Sequence, residues 1–266
     1  TYPVVKSIAA RLGITLVPLK LDERGVCPDA VLRAHRQAPL KGLYLQPSLH
    51  NPLGVTMDET RRAEITAVLE KTGIVAIEDT IYSFLSDVPP LAAIAAEHTI
   101  VVDSLSKRIA PGTTLGFIAA PARWVDRIVV AVRSGAWSAL GLPLALGLRW
   151  ISDGTVARLT AEKKSDAIVR HDIARDALAG LTVRGDRRAY HLWLELPDGW
   201  NGETFASAAA REGIALTPAN AFAVETVENM GVKCGGPHRG EDQLLAAQQR
   251  NVEIQHAGEQ GLLIHL

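Results

Sequence analysis

The fold of this chain is decided by residues 99–112, which read Thr99-Ile100-Val101-Val102-Asp103-Ser104-Leu105-Ser106-Lys107-Arg108-Ile109-Ala110-Pro111-Gly112. The apolar and β-branched run at its start predicts a short buried strand, and the Pro-Gly pair closes a turn after it. Two serines and a lysine therefore lie where the strand ends. Burial at the edge of an apolar sheet lowers the pKa of a lysine amine, and only the neutral amine attacks a carbonyl carbon.

This chemistry makes Lys107 the candidate catalytic residue. A neutral amine at such a position favours a Schiff base, and serines two residues apart can hold a phosphate through hydroxyl and backbone donors. The motif predicts that Lys107 is the anchor for pyridoxal 5'-phosphate. That cofactor also requires a carboxylate beside its pyridine nitrogen, donors near its phenolic oxygen and an aromatic side chain against its ring. Asp79, after a buried strand, and Asn51, in a loop, are candidates for the first two.

Other strands are predicted over 42–46, 74–77 and 115–119. Helices are predicted over 28–36 and, with Thr56 as the N-cap, from there to about Lys71, where Gly73 ends the helix. Alternating strands and helices with nearly continuous apolar strands predict an α/β fold with a mostly parallel central sheet covered by helices. The strand over 115–119 follows so closely that we expect it to run antiparallel. Ligands bind beyond the carboxyl ends of strands in such sheets. Because Asn51, Asp79 and Lys107 all follow strand ends, we expect their side chains to converge.

The flanking segments complete the predicted organisation. The pattern predicts a helix over 4–12 that ends at Gly13, a strand over 14–17, and helices over 124–178 with breaks at Pro143 and Gly154. A smaller α+β lobe follows, with strands over 181–184, 190–196 and 214–216 and helices over 205–212 and 241–256. We therefore predict a large domain over 1–135, bridging helices over 136–180 and a small C-terminal domain over 181–266.

The composition excludes several functional classes. The chain has 266 residues, of which 47% are hydrophobic and 21% charged, and its net charge is −1, so it has no global basic field for nucleic acid. Its two cysteines have no metal-ligand spacing, and we expect no metal site. No apolar stretch is long enough to span a membrane and no signal peptide is predicted, so we expect a cytoplasmic protein. The chain does not begin with Met, and we expect it to be a fragment of a longer polypeptide.

Three motifs carry a family resemblance: Pro47 with Asn51-Pro52-Leu53-Gly54, Asp79-x-x-Tyr82, and Ser104-x-Ser106-Lys107-x-x-x-Pro111-Gly112. In this order they resemble the motif series of fold type I aminotransferases. The segments around them, including Tyr44 to Pro52, Trp150 to Gly154 and His191 to Leu194, are more similar still to the aminotransferase-like domain of MocR-type regulators of the GntR family. The resemblance implies the fold of type I pyridoxal phosphate enzymes, with the N-terminal part of that fold missing from residues 1–266.

The resemblance also implies a set of cofactor contacts at the matching positions. They are Lys107 as the Schiff-base lysine, Asp79 opposite the pyridine nitrogen, Asn51 and Tyr82 near the phenolic oxygen, Ser104 and Ser106 on the phosphate, and Tyr2 stacked on the ring. Simpler roles remain open for several of these residues. Asp79 is also suited to cap a helix, the serines to cap the turn, and Tyr82 to pack in the core.

Two departures from the family pattern affect the expected function. Thr114 occupies the position of a phosphate-binding arginine, which removes a bidentate charged contact worth about 1.5–3 kcal/mol. The segment Met230 to Pro237 matches the strand that carries the substrate-carboxylate arginine, but it contains no arginine, and Lys233 is the nearest cation. Both departures argue against efficient transamination.

Three hypotheses follow. The first is a ligand-sensing effector and dimerisation domain of a MocR-type regulator, in which an amine or amino acid forms an aldimine at the Lys107 site. Its DNA binding would reside in a winged helix-turn-helix domain outside residues 1–266, and we expect a homodimer. The second is an active aminotransferase, in which Lys107 also shuttles a proton. The third is a scaffold that keeps the fold but has lost the cofactor.

Overall fold

The computed structural model describes residues 1–111, 115–135, 139–225, 231–234, 255–257 and 261–263. Its helices are α1 (Pro3–Arg11), α2 (Pro28–Gln37), α3 (Glu59–Thr72), α4 (Leu105–Arg108), α5 (Ala122–Gly135), α6 (Gly141–Ser152), α7 (Thr155–Ala177), α8 (Gly202–Arg211) and α9 (Ala219–Phe222). Its strands are β1 (Leu21–Asp22), β2 (Gly25–Val26), β3 (Gly42–Leu45), β4 (Val75–Asp79), β5 (Thr99–Ser104), β6 (Gly116–Ala119), β7 (Val183–Arg184), β8 (Leu192–Leu194), β9 (Thr217–Pro218), β10 (Val232–Cys234), β11 (Gln255–Ala257) and β12 (Gly261–Leu263).

The central sheet has four strands in the order β3-β4-β5-β6. The first three run parallel, and β6 runs antiparallel to β5, with Val102 opposite Ile118. The α/β fold and the antiparallel strand predicted from the sequence are therefore confirmed. Because β4 and β5 are parallel neighbours, with Asp79 beside Val102, their carboxyl ends lie at the same edge of the sheet.

One face of this sheet packs against α2 and α3. Leu43 and Leu45 of β3 and Ala76 of β4 join Ile65 and Leu69 of α3 in a single buried cluster. The alternation of side chains along each strand sends these residues to the same face. Full burial of such aliphatic side chains contributes about 1.5–3 kcal/mol each, so this layer fixes the position of the strands.

The start of α3 differs from the sequence prediction. The predicted N-cap was Thr56, but Asp58 is the N-cap and accepts a hydrogen bond from the Arg61 amide at 2.7 Å. The Thr56 hydroxyl instead accepts a hydrogen bond from the Leu49 amide. Both residue types cap helices well, and the hydrogen bond that Thr56 makes in the preceding loop decides between them. The helix ends at Gly73, which has a φ of 68°, as predicted.

Three other predictions also need correction. Residues 14–17 form no strand: Ile14 and Val17 are exposed, and no strand among the described residues pairs with them. The strand predicted over 214–216 lies instead at Thr217–Pro218. Residues 241–254 of the predicted last helix lie outside the described residues, while Gln255–Ala257 form a strand.

Of the two breaks predicted in the helices after the sheet, the one at Gly154 is confirmed, whereas α6 begins before Pro143 and continues through it. Gly154 separates α6 from α7 with a φ of 81°, a conformation that favours glycine. Pro143 lies in the first turn of α6, where a missing amide donor costs little. None of the helices among the described residues is long and apolar enough to cross a membrane.

The chain divides into two compact units. One contains Thr1–Pro18, Asn51–Gly54 and Ala167–Leu266, and the other contains Leu19–His50 and Val55–Asp166. The first unit contains an antiparallel sheet in the order β7-β8-β10-β9, packed through Leu192 and Leu194 against Phe205 of α8. The domain boundaries predicted at residues 135 and 180 stay a prediction.

The loop tip 51–54 packs within the first unit. Leu53 contacts the cluster of Trp193 and Phe222, and the Asp186 amide donates to the Gly54 oxygen at 3.1 Å. A Cβ atom at Gly54 would lie 2.7 Å from the Cα of Gly185. This close approach of two backbones requires glycine at position 54.

Candidate functional site

The candidate site is built on the adjacent carboxyl ends of β4 and β5. Asp79 is the last residue of β4, and β5 ends at Ser104, directly before the single turn α4 that carries Lys107. The Thr80 amide donates to the Val102 oxygen at 2.9 Å and joins the two strand ends. The sheet topology thus places the predicted acid and the predicted amine on neighbouring segments of one unit.

The carboxylate of Asp79 is held by three hydrogen bonds. Its Oδ2 atom accepts from the Tyr44 hydroxyl at 2.5 Å and from the Gln46 amide at 2.9 Å, and its Oδ1 atom accepts from the Ile81 amide at 3.1 Å. Burial raises the pKa of Asp79, and these hydrogen bonds oppose that rise. The carboxylate is therefore fixed in orientation before any ligand binds.

Strand alternation explains why Tyr44 reaches Asp79. Ala76 and Glu78 of β4 face the buried core, so Ile77 and Asp79 face the opposite side of the sheet. Tyr44 lies beside Ile77 in the parallel register, on that same side. By the same alternation Ser104 of β5 shares the face of Asp79. One face at the strand ends therefore carries a carboxylate, its two side-chain donors and a serine.

Lys107 lies in α4 and is half-buried. Burial lowers the pKa of its amine, and the positive charge of Lys163 lowers it further. This is the direction predicted from the sequence. The Lys163 ammonium donates to the main-chain oxygens of Lys107 at 3.0 Å and of Ile109 at 3.2 Å.

The two serines hold the turn that joins β5 to α4. The Ser104 hydroxyl accepts from the Ser106 amide at 3.0 Å and donates to the Leu115 oxygen at 3.0 Å, and the two hydroxyl oxygens are 2.8 Å apart. Ser104 is thus the N-cap of α4, which is the simpler role left open above. Phosphate binding by Ser104 and Ser106 stays a prediction, and Thr114 lies outside the described residues.

The remaining predicted contacts are distributed between the two units. Tyr82 is buried directly before a short 3-10 helix in the unit of Lys107. Asn51 and Tyr2 belong to the other unit: Asn51 is buried in the loop tip and Tyr2 is 42% exposed at the N-cap of α1. Their convergence on the Lys107 site stays a prediction.

Three residues of the candidate site, Tyr44, Gln46 and Lys163, were not identified from the sequence. Tyr44 could have been identified from strand alternation, because the parallel register of β3 and β4 places it on the same side of the sheet as Asp79. Gln46 shares this signal, because it lies two residues after Tyr44 and so faces the same side. Lys163 is 56 residues from Lys107, and nothing in the pattern of α7 distinguishes it from the neighbouring Lys164.

The described side chains include no group of three or more His, Cys, Asp or Glu arranged to hold a metal ion. A carboxylate with oriented donors and an amine with a lowered pKa instead form a donor set that fits pyridoxal phosphate. The fit rests on the buried, hydrogen-bonded Asp79 beside the strand that leads to Lys107.

Comparison with known proteins supports this interpretation. Residues 1–246 match the model of the family described as aminotransferase class I and II. The chain is 30% identical over 266 residues to YdeF of Bacillus subtilis (strain 168), an uncharacterized HTH-type transcriptional regulator, covering 99% of this chain and 55% of that protein. It is 26% identical over 235 residues to the aromatic amino acid aminotransferase C1773.13 of Schizosaccharomyces pombe, covering 74% of this chain and 49% of that protein.

A solved structure shows the same fold. The kynurenine aminotransferase of Pyrococcus horikoshii superposes with a TM-score of 0.83 at 21% identity, covering 92% of this chain and 65% of that protein. The chain therefore spans about half the length of the curated relatives it matches. These matches confirm the predicted fold type I architecture and the resemblance to regulators with an aminotransferase-like domain.

Proposed function

Because the chain belongs to the class I and II aminotransferase family, we propose that it is the pyridoxal phosphate-binding effector and dimerisation domain of a MocR-type transcriptional regulator. In this role it senses a small amine or amino acid. The observation that carries the proposal is the pairing of two strand ends, one with the oriented carboxylate of Asp79 and the other with the Lys107 amine of lowered pKa.

Pyridoxal phosphate is the cofactor of this family, and Lys107 and Asp79 are the residues that would hold its reactive part. When bound, the cofactor supplies an aldehyde that bonds to amines and a protonated ring that withdraws electrons. Asp79 keeps the ring nitrogen protonated through its negative charge. Tyr44 and Gln46 hold that carboxylate in place, so that no reorganisation is needed when the ring enters.

The other contacts in this proposal come from the family resemblance. Asn51 and Tyr82 would donate to the phenolic oxygen, Ser104 and Ser106 would hold the phosphate, and Tyr2 would pack on the ring. The Ser106 hydroxyl lies 2.8 Å from that of Ser104, so the two would act on a phosphate as a pair.

Ligand sensing is favoured over turnover by the strand that would bind a substrate carboxylate. In β10 the cation is Lys233, whose ammonium lies 5.9 Å from the centroid of the Phe222 ring. A lysine presents a point charge rather than the planar bidentate fork of an arginine. Weak capture of the carboxylate suits a receptor that responds to a ligand without converting it efficiently.

Two other functions are distinguished from this one by experiment. An active aminotransferase is favoured by relatives such as the S. pombe enzyme. A scaffold without cofactor is favoured by Thr114, at the position of the phosphate-binding arginine. In a regulator, DNA would be bound by a separate helix-turn-helix domain, as the names of the HTH-type relatives suggest. We also propose that the protein is a cytoplasmic homodimer.

To test this, pyridoxal phosphate is added to the purified chain and the absorbance is recorded at about 420 nm, where the lysine-bound cofactor absorbs. Borohydride reduction followed by peptide mass spectrometry then locates the attachment. We expect attachment at Lys107, its loss in Lys107→Ala, and its retention in Lys71→Ala, which removes an exposed lysine of the same unit. Attachment at another lysine, or none, contradicts the proposal.

Two further measurements separate the alternatives. In the bound protein, turnover of an amino acid with a keto acid would favour the aminotransferase, whereas a spectral change on adding an amine without turnover supports sensing. Sedimentation of the chain with and without the cofactor tests the homodimer. A protein that binds no cofactor at millimolar concentration would be the scaffold.

A further inference from the structure

Lys163 contacts the candidate site, but the proposed cofactor contacts do not include it. It lies on α7, and its ammonium donates to the main-chain oxygens of Lys107 at 3.0 Å and Ile109 at 3.2 Å. A lysine on a long helix thus reaches the backbone of the residue that carries the proposed reactive amine.

The local structure explains why these two oxygens need a donor. The helix α4 is a single turn, closed by the Ile109 amide donating to the Leu105 oxygen at 2.8 Å. Carbonyl groups at the end of a helix have no partner within the helix and must find one elsewhere. Lys163 bridges two of them. It therefore holds the peptide groups that follow Lys107 and Ile109 and, with them, the backbone of Lys107.

The charge of Lys163 has a second consequence. A positive group next to a half-buried amine disfavours protonation of that amine. Other charged groups on these elements include Asp79 on β4, Asp103 on β5 and Arg108 on α4. Asp103 and Arg108 form an ion pair, and Asp79 is held by Tyr44 and Gln46. Lys163 is the cation that lowers the pKa of Lys107, in addition to the effect of burial.

We propose that Lys163 is a positioning residue for Lys107, which fixes the turn that carries the reactive amine through its hydrogen bonds to the main-chain oxygens of Lys107 and Ile109. The inference rests on the proposed function, because only an amine that attacks an aldehyde benefits from both the fixed turn and the neighbouring positive charge. It adds a residue that acts through Lys107 and that contributes at neutral pH, where an ordinary lysine is almost fully protonated.

The test measures the amine of Lys107 without any cofactor. Competitive acetylation across pH 7 to 11, read by mass spectrometry of the peptide that contains Lys107, gives its pKa and its reactivity. The variants are Lys163→Gln, which keeps a donor but removes the charge, and Lys163→Arg, which keeps both. Lys164→Gln is the matched control, since Lys164 is the next residue and pairs instead with Asp87.

We expect Lys163→Gln to raise the pKa of Lys107 by about one unit, and to reduce its reactivity at pH 7.5 by about tenfold. Lys163→Arg and Lys164→Gln should leave both values close to those of the unmodified chain. A pKa in Lys163→Gln equal to that in Lys164→Gln overturns the proposal, even if the melting temperature falls, because it leaves Lys163 a purely structural role.

A second comparison covers the case in which Lys163→Gln does not fold. Lys163→Met, which keeps the length of the side chain but removes its charge, is then decisive: an unchanged Lys107 pKa contradicts a role for the charge at this position, and a raised pKa supports it. Since no cofactor is present, failure of this inference is separate from failure of cofactor binding.

Discussion

Two consecutive carboxylates at the end of β4 have contrasting surroundings. Glu78 faces the buried core: it is 0% exposed, accepts hydrogen bonds from the amides of Leu91 and Ala92 at 2.7 and 2.9 Å, and lies 3.7 Å from the Arg62 guanidinium. Asp79 faces the other side of the sheet and is bound by side chains of the candidate site. Burial raises the pKa of both carboxyl groups.

The difference shows that one strand serves two purposes at adjacent positions. Glu78 connects the strand end to the segment after it and to Arg62, which in turn donates to the Met57 oxygen at 3.1 Å and the Ser48 hydroxyl at 2.9 Å. Asp79 is oriented for a ligand instead. Four experiments, three on substitutions and one on the pH dependence of stability, test this division between an anchor and a ligand-binding group.

Replacing Glu78 by Met should have the largest effect. It leaves the buried Arg62 without a counter-charge and two amides without an acceptor, so we expect a loss of about 3–5 kcal/mol in the free energy of unfolding. Denaturant unfolding followed by circular dichroism measures it. Glu78→Gln retains an acceptor and should lose less, and Glu70→Met, at an exposed position, should lose little. A loss below about 1 kcal/mol in Glu78→Met would show that Glu78 is no anchor.

Asp79→Asn should leave stability within about 1 kcal/mol but weaken pyridoxal phosphate binding by about 10- to 100-fold, because one charge-assisted hydrogen bond is lost. Titration of the cofactor absorbance gives the dissociation constant. Asp126→Asn removes an exposed carboxylate from α5 and serves as the control. Equal affinities in the two variants would remove Asp79 from the site.

Tyr44→Phe should have a smaller effect of the same kind. The hydroxyl donates to Asp79, so its removal costs about 1 kcal/mol, or about fivefold in cofactor affinity. It should also raise the pKa of Asp79 further, since a donor to the ionised form is lost. Affinity measured in the Tyr44→Phe, Asp79→Asn double variant should match that of Asp79→Asn alone. Additive losses would mean that Tyr44 acts independently.

The smallest expected effect is a difference between Asp79→Asn and the unmodified chain in how the free energy of unfolding depends on pH. The folded-state pKa of Asp79 is raised, so below the ordinary value of about 4 both folded and unfolded states are protonated. As pH rises from there through the raised pKa, the unfolded state loses its proton first and stability falls. Asp79→Asn lacks this loss, so its stability relative to the unmodified chain should increase between pH 4 and 7. A flat difference would contradict the raised pKa.

The sequence predicted the parts of this arrangement that depend on local pattern. The strand before Ser104, the antiparallel strand after it and the stop at Gly73 follow from apolar runs and glycine placement, and all are confirmed. Residues 14–17 have the same apolar character, but in the part of the chain that the structure describes no strand pairs with them. Pairing is a tertiary property that local pattern does not contain.

The candidate site was predictable where a motif fixes a residue at a strand end, as for Asp79 and Lys107. Tyr44, Gln46 and Lys163 act through contacts over 35, 33 and 56 positions of the chain, and no local periodicity marks such contacts. The choice of Asp58 over Thr56 as N-cap has the same cause, since the amide of Leu49 occupies the Thr56 hydroxyl.

The packing of Gly54 against Gly185 has a practical consequence for mutational scanning. Any side chain at position 54 meets main-chain atoms that cannot rotate away, so alleles there should be depleted in a screen whether or not the screen reports on ligand. Substitutions of the neighbouring Asn51 would then also be depleted, because they disturb the packing of the same loop and not because they affect a ligand. A library that holds position 54 as glycine separates loss of architecture from loss of chemistry in this segment.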